Sequence, residues 1–524
     1  MPPGVLRALR AAVALAALIG QAALIGPMAL IGAIAPSPAA AQDDYGFDEP
    51  EDSHEDSYED YGFDDEGSAE PSQPAALPAD RFWELSGDLS LGASYNYISH
   101  NSAVGRRSPS PGNPQPKGTH YGNLSRLRAQ LDLQLDLRLP ADWKARIEGY
   151  GFYDFSYLIK GRDSYTQDVL DDYEWEVDFR EVWVQGSPTP SLDFKLGRQI
   201  VNWGRSDTVR VLDVINPLDN REPGLIDIED LRLPLTMARV DYYPRWVPDG
   251  WGDWSLQLLL IPEFRQDRNP SIGNDFNPTP IEVDPRSQKP DRFFDDPEYG
   301  GAITGTFSGW DLSVYAARVY LNQPLVAEPL TGLLQRYPLV TLAGAGGNFT
   351  TGSWLFKGEL GWFHGLEYNQ ADTSIAPPVR IVDKDRLDWM AGVEYYGVSD
   401  LTLAFEVVHR HIFDYDDDMK AHVPISPAPG APSIRVAYAK EDLVESALRA
   451  TADFFNSRLH VTGVALLVGT HADLGSVLRM EASYDLRDAL VVSGGIVLYQ
   501  EGTSPGLSEV GDNDRLFLRI EHSF

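Results

Sequence analysis

From Arg126 to Leu139 every second residue is apolar. Leu127, Ala129, Leu131, Leu133, Leu135, Leu137 and Leu139 stand on one face, and Arg126, Arg128, Gln130, Asp132, Gln134, Asp136 and Arg138 on the other. A period of two belongs to an extended strand. At about 3.3 Å per residue the run reaches roughly 45 Å, well beyond the strands of about 5–6 residues usual in soluble domains. Its greasy side must meet something apolar along that whole length. After Pro140-Ala141-Asp142 the scheme resumes, with Trp143, Ala145 and Ile147 set against Lys144, Arg146 and Glu148. A tight turn therefore joins two strands of one design.

The alternation recurs to the end of the chain, broken by Gly, Pro, Asn and Asp. Besides 126–139 and 143–148, strands are expected near 85–98, 173–185, 191–197, 235–243, 253–261, 300–308, 310–321, 338–350, 353–364, 386–397, 400–412, 443–456, 458–470, 474–486, 489–500 and 514–524. In the last, Leu516, Leu518, Ile520 and Phe524 alternate with Arg515, Arg519, Glu521 and Ser523, which reads as a closing strand. Beyond the N-terminal segment no window holds the roughly 18–20 apolar residues of a spanning helix, and in lipid only helices and closed barrels satisfy their backbone polar groups. The expected fold class is all-β: a transmembrane antiparallel β-barrel of about 16–18 strands. Short turns such as 140–142 are then periplasmic, and the long polar connections Asn101–His120, Arg265–Pro297 and Asp414–Pro432 extracellular. Tyr95, Tyr97, the stretch Tyr150 to Tyr157, Trp175, Trp354, Trp362, Tyr395 and Tyr396 sit where strand ends would place aromatic girdles.

Export is written at the N-terminus. Arg7 and Arg10 precede an apolar stretch from Ala11 to Ala35 and a small-residue site ending at Ala41, the layout of a signal peptide over residues 1–41. The apolar stretch is long, because Ala-Leu-Ile-Gly recurs at Ala17, Ala23 and Ala29, so a retained anchor is the competing reading. The net charge of −35 is concentrated just beyond this segment, since Asp43 to Glu70 carries fourteen Asp or Glu and no Lys or Arg. Residues 42–80 read as a disordered acidic leader and linker. The repeated phrase Asp-Tyr-Gly-Phe-Asp at Asp44 and Asp60 makes a periplasmic docking peptide an alternative to a merely solvated leader. Such a charge disfavours nucleic acid as a partner. With no cysteine in the chain, disulfides, thiolate metal sites and thiol catalysis are excluded. The barrel occupies 81–524, in the cell outer membrane, with lipid and lipopolysaccharide as its surroundings; the oligomeric state is not written in the pattern.

Between Leu196 and Leu235 the alternation lapses. Trp203, Val209, Val211, Leu212, Val214 and Ile215 need burial there, and Arg198, Arg205, Arg210 and Arg221 need partners such as Asp207, Asp213, Asp219 and Glu222. A segment that is both apolar and ion-paired suits the lumen of a barrel. Residues 197–234 are therefore expected to fold inward as a constriction, with Arg198, Asn202, Arg205, Asp207, Arg210, Asp213, Asn216, Asp219 and Arg221 lining the pore. For Arg198, Arg205 and Arg210 two roles stay open: a salt-bridge lattice pinning the segment to the wall, or a cationic rim selecting anionic or polar solutes.

The same stretch carries a resemblance. Gly197-Arg198-Gln199, Asn202-Trp203-Gly204, Ser206, Asn216-Pro217 with Asp219, Pro223-Gly224 and Leu233-Pro234 resemble a family of uncharacterised Gram-negative outer-membrane barrels, catalogued as a domain of unknown function and similar to alginate-export-like porins. The resemblance spans roughly Leu85 to Phe524 and implies a porin-like or export channel without naming a substrate. The acidic leader departs from it.

Enzymatic signatures are sparse. The chain holds no Gly-x-Ser-x-Gly elbow, phosphate-cradling glycine loop or His-Glu-x-x-His motif. His409 and His411 share a strand face with Leu401, Leu403, Phe405 and Val407, which places them in the interfacial belt; Asp414 to Asp418 reads as a solvated acidic loop. No cofactor, metal or catalytic residue is assigned. The function expected is a channel for passive or export-coupled passage of solutes, and the alternatives are a barrel enzyme acting on lipid and a structural or adhesion barrel.

Overall fold

The computed structural model describes residues 82–98, 120–226, 231–247, 252–271, 273–277, 284–288, 296–327, 334–375, 378–420, 424–425, 434–435, 438–508 and 510–524. The expected signal peptide (1–41) and acidic leader (42–80) lie outside them.

Eighteen strands form one antiparallel sheet. In chain order they are β1 (Trp83–Asn96), β2 (Asn123–Arg138), β3 (Lys144–Asp154), β4 (Trp175–Thr189), β5 (Leu192–Gln199), β6 (Leu235–Tyr242), β7 (Asp253–Ile261), β8 (Glu298–Phe307), β9 (Trp310–Tyr320), β10 (Leu339–Thr351), β11 (Trp354–Ala371), β12 (Val379–Val398), β13 (Leu401–Ile412), β14 (Asp442–Phe454), β15 (Leu459–Val468), β16 (Gly475–Arg487), β17 (Leu490–Gln500) and β18 (Arg515–Ser523). Each pairs with its neighbours in sequence, and β18 returns to β1, with Leu91 opposite Ile520 on one side and Ala129 on the other. Beyond the last pair, the Phe524 amide donates to the Gly87 carbonyl at 2.9 Å and the Gly87 amide to the Phe524 carbonyl at 3.0 Å. The sheet is a closed barrel with no free edge.

The strands keep the alternation seen in the sequence. Their outward positions carry an exposed apolar band that includes Leu89, Leu131, Leu258, Ile303, Val314, Leu360 and Leu518. Aromatics collect at both ends of it: Tyr95 and Trp175 toward the long loops, Trp310, Phe349 and Tyr396 toward the short turns, all exposed. Tyr150 and Tyr157, expected in a girdle, face inward. Tyr150 has lumen-side parity on β3 and lines the internal cavity, and Tyr157 is buried in the helical connection after β3. β11 and β12 also run further than the alternation suggests, to Ala371 and from Val379, through polar stretches such as Tyr368-Asn369-Gln370. Past the apolar band both faces of a strand meet water or loops, so alternation fades while hydrogen bonding continues.

The connections that follow odd-numbered strands leave one end of the barrel, and those at the other end are tight turns apart from residues 243–252 between β6 and β7. The β3–β4 connection forms two helices, α1 (Ser156–Lys160) and α2 (Gln167–Tyr173), whose Tyr157, Val169, Leu170 and Tyr173 pack with Tyr121 and Tyr165. Among the described residues no helix is long and apolar enough to cross a membrane. The main apolar core lies inside the barrel, where the β5–β6 connection folds back against the wall.

Candidate functional site

The β5–β6 connection is held inward first by its apolar side chains. Val201, Trp203, Val209, Val211, Leu212 and Ile215 are buried against inward residues of several wall strands, among them Met237, Ile261, Tyr315, Leu342, Phe363 and Val408. Leu212 acts as a knob. It is fully buried, and a Cβ added at Gly344 would sit 2.3 Å from its Cδ2, at Gly361 3.1 Å from the same atom, and at Gly346 3.4 Å from its Cδ1. The glycines of β10 and β11 thus leave the socket that the leucine fills. Trp203 uses the same device, with Gly300 beneath its ring and its indole N–H donating to Gln257 Oε1 at 2.8 Å.

An irregular loop in a lumen has backbone donors that no sheet satisfies. Two wall carboxylates take them. Glu359 on β11 accepts the amides of Arg205, Ser206 (2.7 Å) and Leu212 (3.1 Å). Glu406 on β13 accepts those of Asp207 (2.6 Å), Thr208 (3.0 Å) and Val209 (3.3 Å). Charged acceptors make such bonds about twice as strong as neutral ones. Lys357 on β11 donates to both oxygens of Asp207, at 2.9 and 2.8 Å, and pairs with Glu394 on β12. Burial, with Glu406 and Glu394 close by, pushes the Asp207 carboxyl up to about 7 against the pull of Lys357.

The remaining expected site residues occupy three groups. Arg205 reaches β9, on the same wall, donating to Asp311 Oδ1 at 2.5 Å and Ser313 Oγ at 3.0 Å. Asp213 is buried between Arg210 and Arg232, each 2.9 Å away, and Arg232 also donates to Asn202 Oδ1 at 3.0 Å. Asn216, with no exposed surface, closes the loop on itself by accepting from the Val201 amide and donating to the Leu233 carbonyl, both at 2.8 Å. Nearer the long-loop end, Arg221 pairs with Asp219 at 2.6 Å and Glu176 at 2.8 Å, while Arg198, Arg265 and Arg268 converge on Asp178 at 3.4, 3.0 and 3.1 Å. Every arginine of the expected set is ion-paired.

The loop does not fill the lumen. Val201 to Ile215 dock on β6 to β14, whereas Arg221, Glu222 and Leu225 cross to β2, β4, β16 and β17; between the loop and the wall of β1 to β4 and β16 to β18 lies a cavity of about 500 Å³. Of the expected residues, Asn202, Asp219 and Arg221 line it. Residues missing from the expected site set supply most of its charge: with Arg221 and Asp219, the guanidinium groups of Arg126, Arg128, Arg146, Arg180, Arg232, Arg265, Arg479 and Arg519 face the carboxylates of Glu148, Asp172, Asp178, Glu181, Glu222 and Glu481. Nine guanidinium groups and seven carboxylates line it, and Arg146 and Arg232 are paired with Asp136 and Asp213 just behind the lining, so the charges of this compartment are matched inside a chain of net charge −35. Glu222 is central. It pairs with Arg126 at 3.4 Å and Arg128 at 3.0 Å; burial alone would raise its carboxyl, but Arg126, Arg128 and Arg221 hold it at about 2.

The wall anchors Glu359, Glu394, Glu406 and Lys357 were also absent from the sequence expectation. A signal for their neighbourhood existed in the repeated glycines at Gly344, Gly346, Gly347, Gly358 and Gly361, because glycine inside a strand marks close approach by another backbone or side chain.

The family described as "Protein of unknown function (DUF1302)" matches residues 26–524. No curated protein matches the sequence. Similar solved structures include OccAB1 of Acinetobacter baumannii, at 9% identity and a TM-score of 0.45 over 84% of this chain and 96% of that one. OccK9 (OpdG) of Pseudomonas aeruginosa is similar at 12% identity and a TM-score of 0.43, over 84% and 98%. The outer membrane channel DcaP of Acinetobacter baumannii shares 11% identity with a TM-score of 0.36, over 84% and 97%.

Proposed function

The chain belongs to the family described as "Protein of unknown function (DUF1302)", a description that names no activity, and we propose that it is a porin-like channel of the outer membrane that passes small polar solutes beside a fixed internal loop. The outward apolar band of a closed barrel calls for lipid around it. The observation that carries the channel reading is the lateral seating of the loop. Its apolar knobs and its two carboxylate anchors all engage β6 to β14, which leaves the charged cavity beside β1 to β4 open. At about 500 Å³ that space is the size of an ordinary small-molecule site, and its alternating guanidinium and carboxylate groups replace hydration for polar solutes of either sign. On this reading Asn202, Asp219 and Arg221 touch the solute, whereas Arg198, Arg205, Asp207, Arg210, Asp213 and Asn216 keep the loop in place.

The test is conductance of the folded protein, from Gln42 onward, in a planar lipid bilayer. Stepwise openings are expected. Silence from protein shown to be folded would overturn the channel reading and favour a sealed, structural barrel.

A further inference from the structure

On the outer face of the barrel, at the long-loop end, a second constellation of side chains is unrelated to the lumen. His411 stands near the end of β13, and Asp442, the first residue of β14, lies directly opposite it in the register. Asp442 Oδ1 is 2.9 Å from His411 Nδ1 and 2.9 Å from His409 Nε2. Glu441 adds a carboxylate, so that ligand atoms of His411, Glu441 and Asp442 all lie within 4.8 Å of one another. The tautomers are constrained from outside the group. Trp389 Nε1 lies 3.1 Å from His409 Nδ1, and an indole nitrogen can only donate. His409 Nδ1 therefore carries no proton, and its Nε2–H donates to Asp442. His409 orients that carboxylate and has no lone pair left to give at Nε2. His411 differs: its Nδ1 lies 2.9 Å from an anionic oxygen, the separation of a hydrogen bond, so this nitrogen carries the proton, and a metal ion binding there would displace that proton and leave the ring protonated on Nε2 alone.

We propose that His411 Nδ1, Asp442 and Glu441 bind a divalent transition ion of the zinc class, with His409 as the positioning residue that aims Asp442. One imidazole and two carboxylates suit such an ion better than Ca²⁺, which prefers six to eight oxygens. Zinc bonds of about 2.0–2.1 Å place tetrahedral ligand atoms roughly 3.3 Å apart, so the exposed Glu441 closes the remaining gap by a side-chain swing. His411 and Glu441 flank the β13–β14 connection. The ion would staple the two ends of that long loop where it leaves the barrel.

The experiment is calorimetric titration of the chelator-treated full-length protein in detergent micelles with Zn²⁺, alongside Co²⁺ absorption. The wild type is expected to show a Zn²⁺ binding event that is absent from His411→Ala, and His409→Ala to bind about 10- to 100-fold more weakly, as loss of an orienting hydrogen bond does. Glu441→Gln lies outside the strands and tests the site without touching the barrel; it too should lose the event. Binding by the acidic leader is common to all variants and cancels in the comparison. Equal Zn²⁺ binding by wild type and His411→Ala, or displacement of the ion by an equal concentration of Ca²⁺, would overturn the proposal.

Discussion

Leu212→Ala separates the loop from the barrel that holds it. Leu212 belongs to the loop, has no exposed surface, and fills a socket floored by Gly344, Gly346 and Gly361, so its truncation alters no wall residue. Emptying a buried leucine site costs about 2–5 kcal/mol, the spread reflecting how far the surroundings collapse. Glycines in a hydrogen-bonded wall cannot move inward, which argues against much collapse; about 3 kcal/mol is a reasonable central value, or roughly a 150-fold fall in the ratio of docked to undocked loop. The Leu212 amide is one of three that Glu359 accepts, so loosening is expected to spread over residues 205–212. Two measurements read it. Hydrogen exchange of those amides should accelerate by roughly that factor while strand amides stay protected, and single-channel records should show larger or more frequent openings. Accelerated exchange with wild-type conductance would refute the view that the loop sets the passage. Unchanged exchange would refute the seating itself.

Asp207, raised to about 7 by burial and by Glu406 and Glu394, makes loop docking pH-dependent. A carboxyl whose docked value lies above its ordinary one of 3.8 stabilises docking fully below about 4 and loses that contribution as pH rises through 7. Conductance should therefore rise from pH 5 to pH 8, and Asp207→Asn should flatten the profile; a variant that keeps the wild-type slope would assign it to another group. Glu222→Gln removes the carboxylate shared by Arg126 and Arg128 and should shift the reversal potential in a potassium chloride gradient toward anions, by a few-fold in permeability ratio; an unmoved potential would place those arginines off the conducting path.

The eighteen strands were legible in the sequence because alternation is local. A strand with lipid on one side and water on the other must repeat every two residues, and Arg126–Leu139 does so whatever the rest of the chain does. The burial of the apolar stretch from Val201 to Ile215 was legible for a similar reason, since Trp203, Val209, Leu212 and Ile215 cannot stay in water. Where that segment docks was not. Glu359 and Glu406 are 154 and 199 residues from the amides they accept, and nothing in Lys357-Gly-Glu-Leu-Gly or Phe405-Glu-Val-Val says which backbone they will meet. The cavity was hidden for the same cause. Arg126, Arg180, Arg479 and Arg519 read as ordinary inward residues of separate strands, and only closure of the barrel, with the loop drawn to the opposite wall by its glycine socket, turns them into one surface.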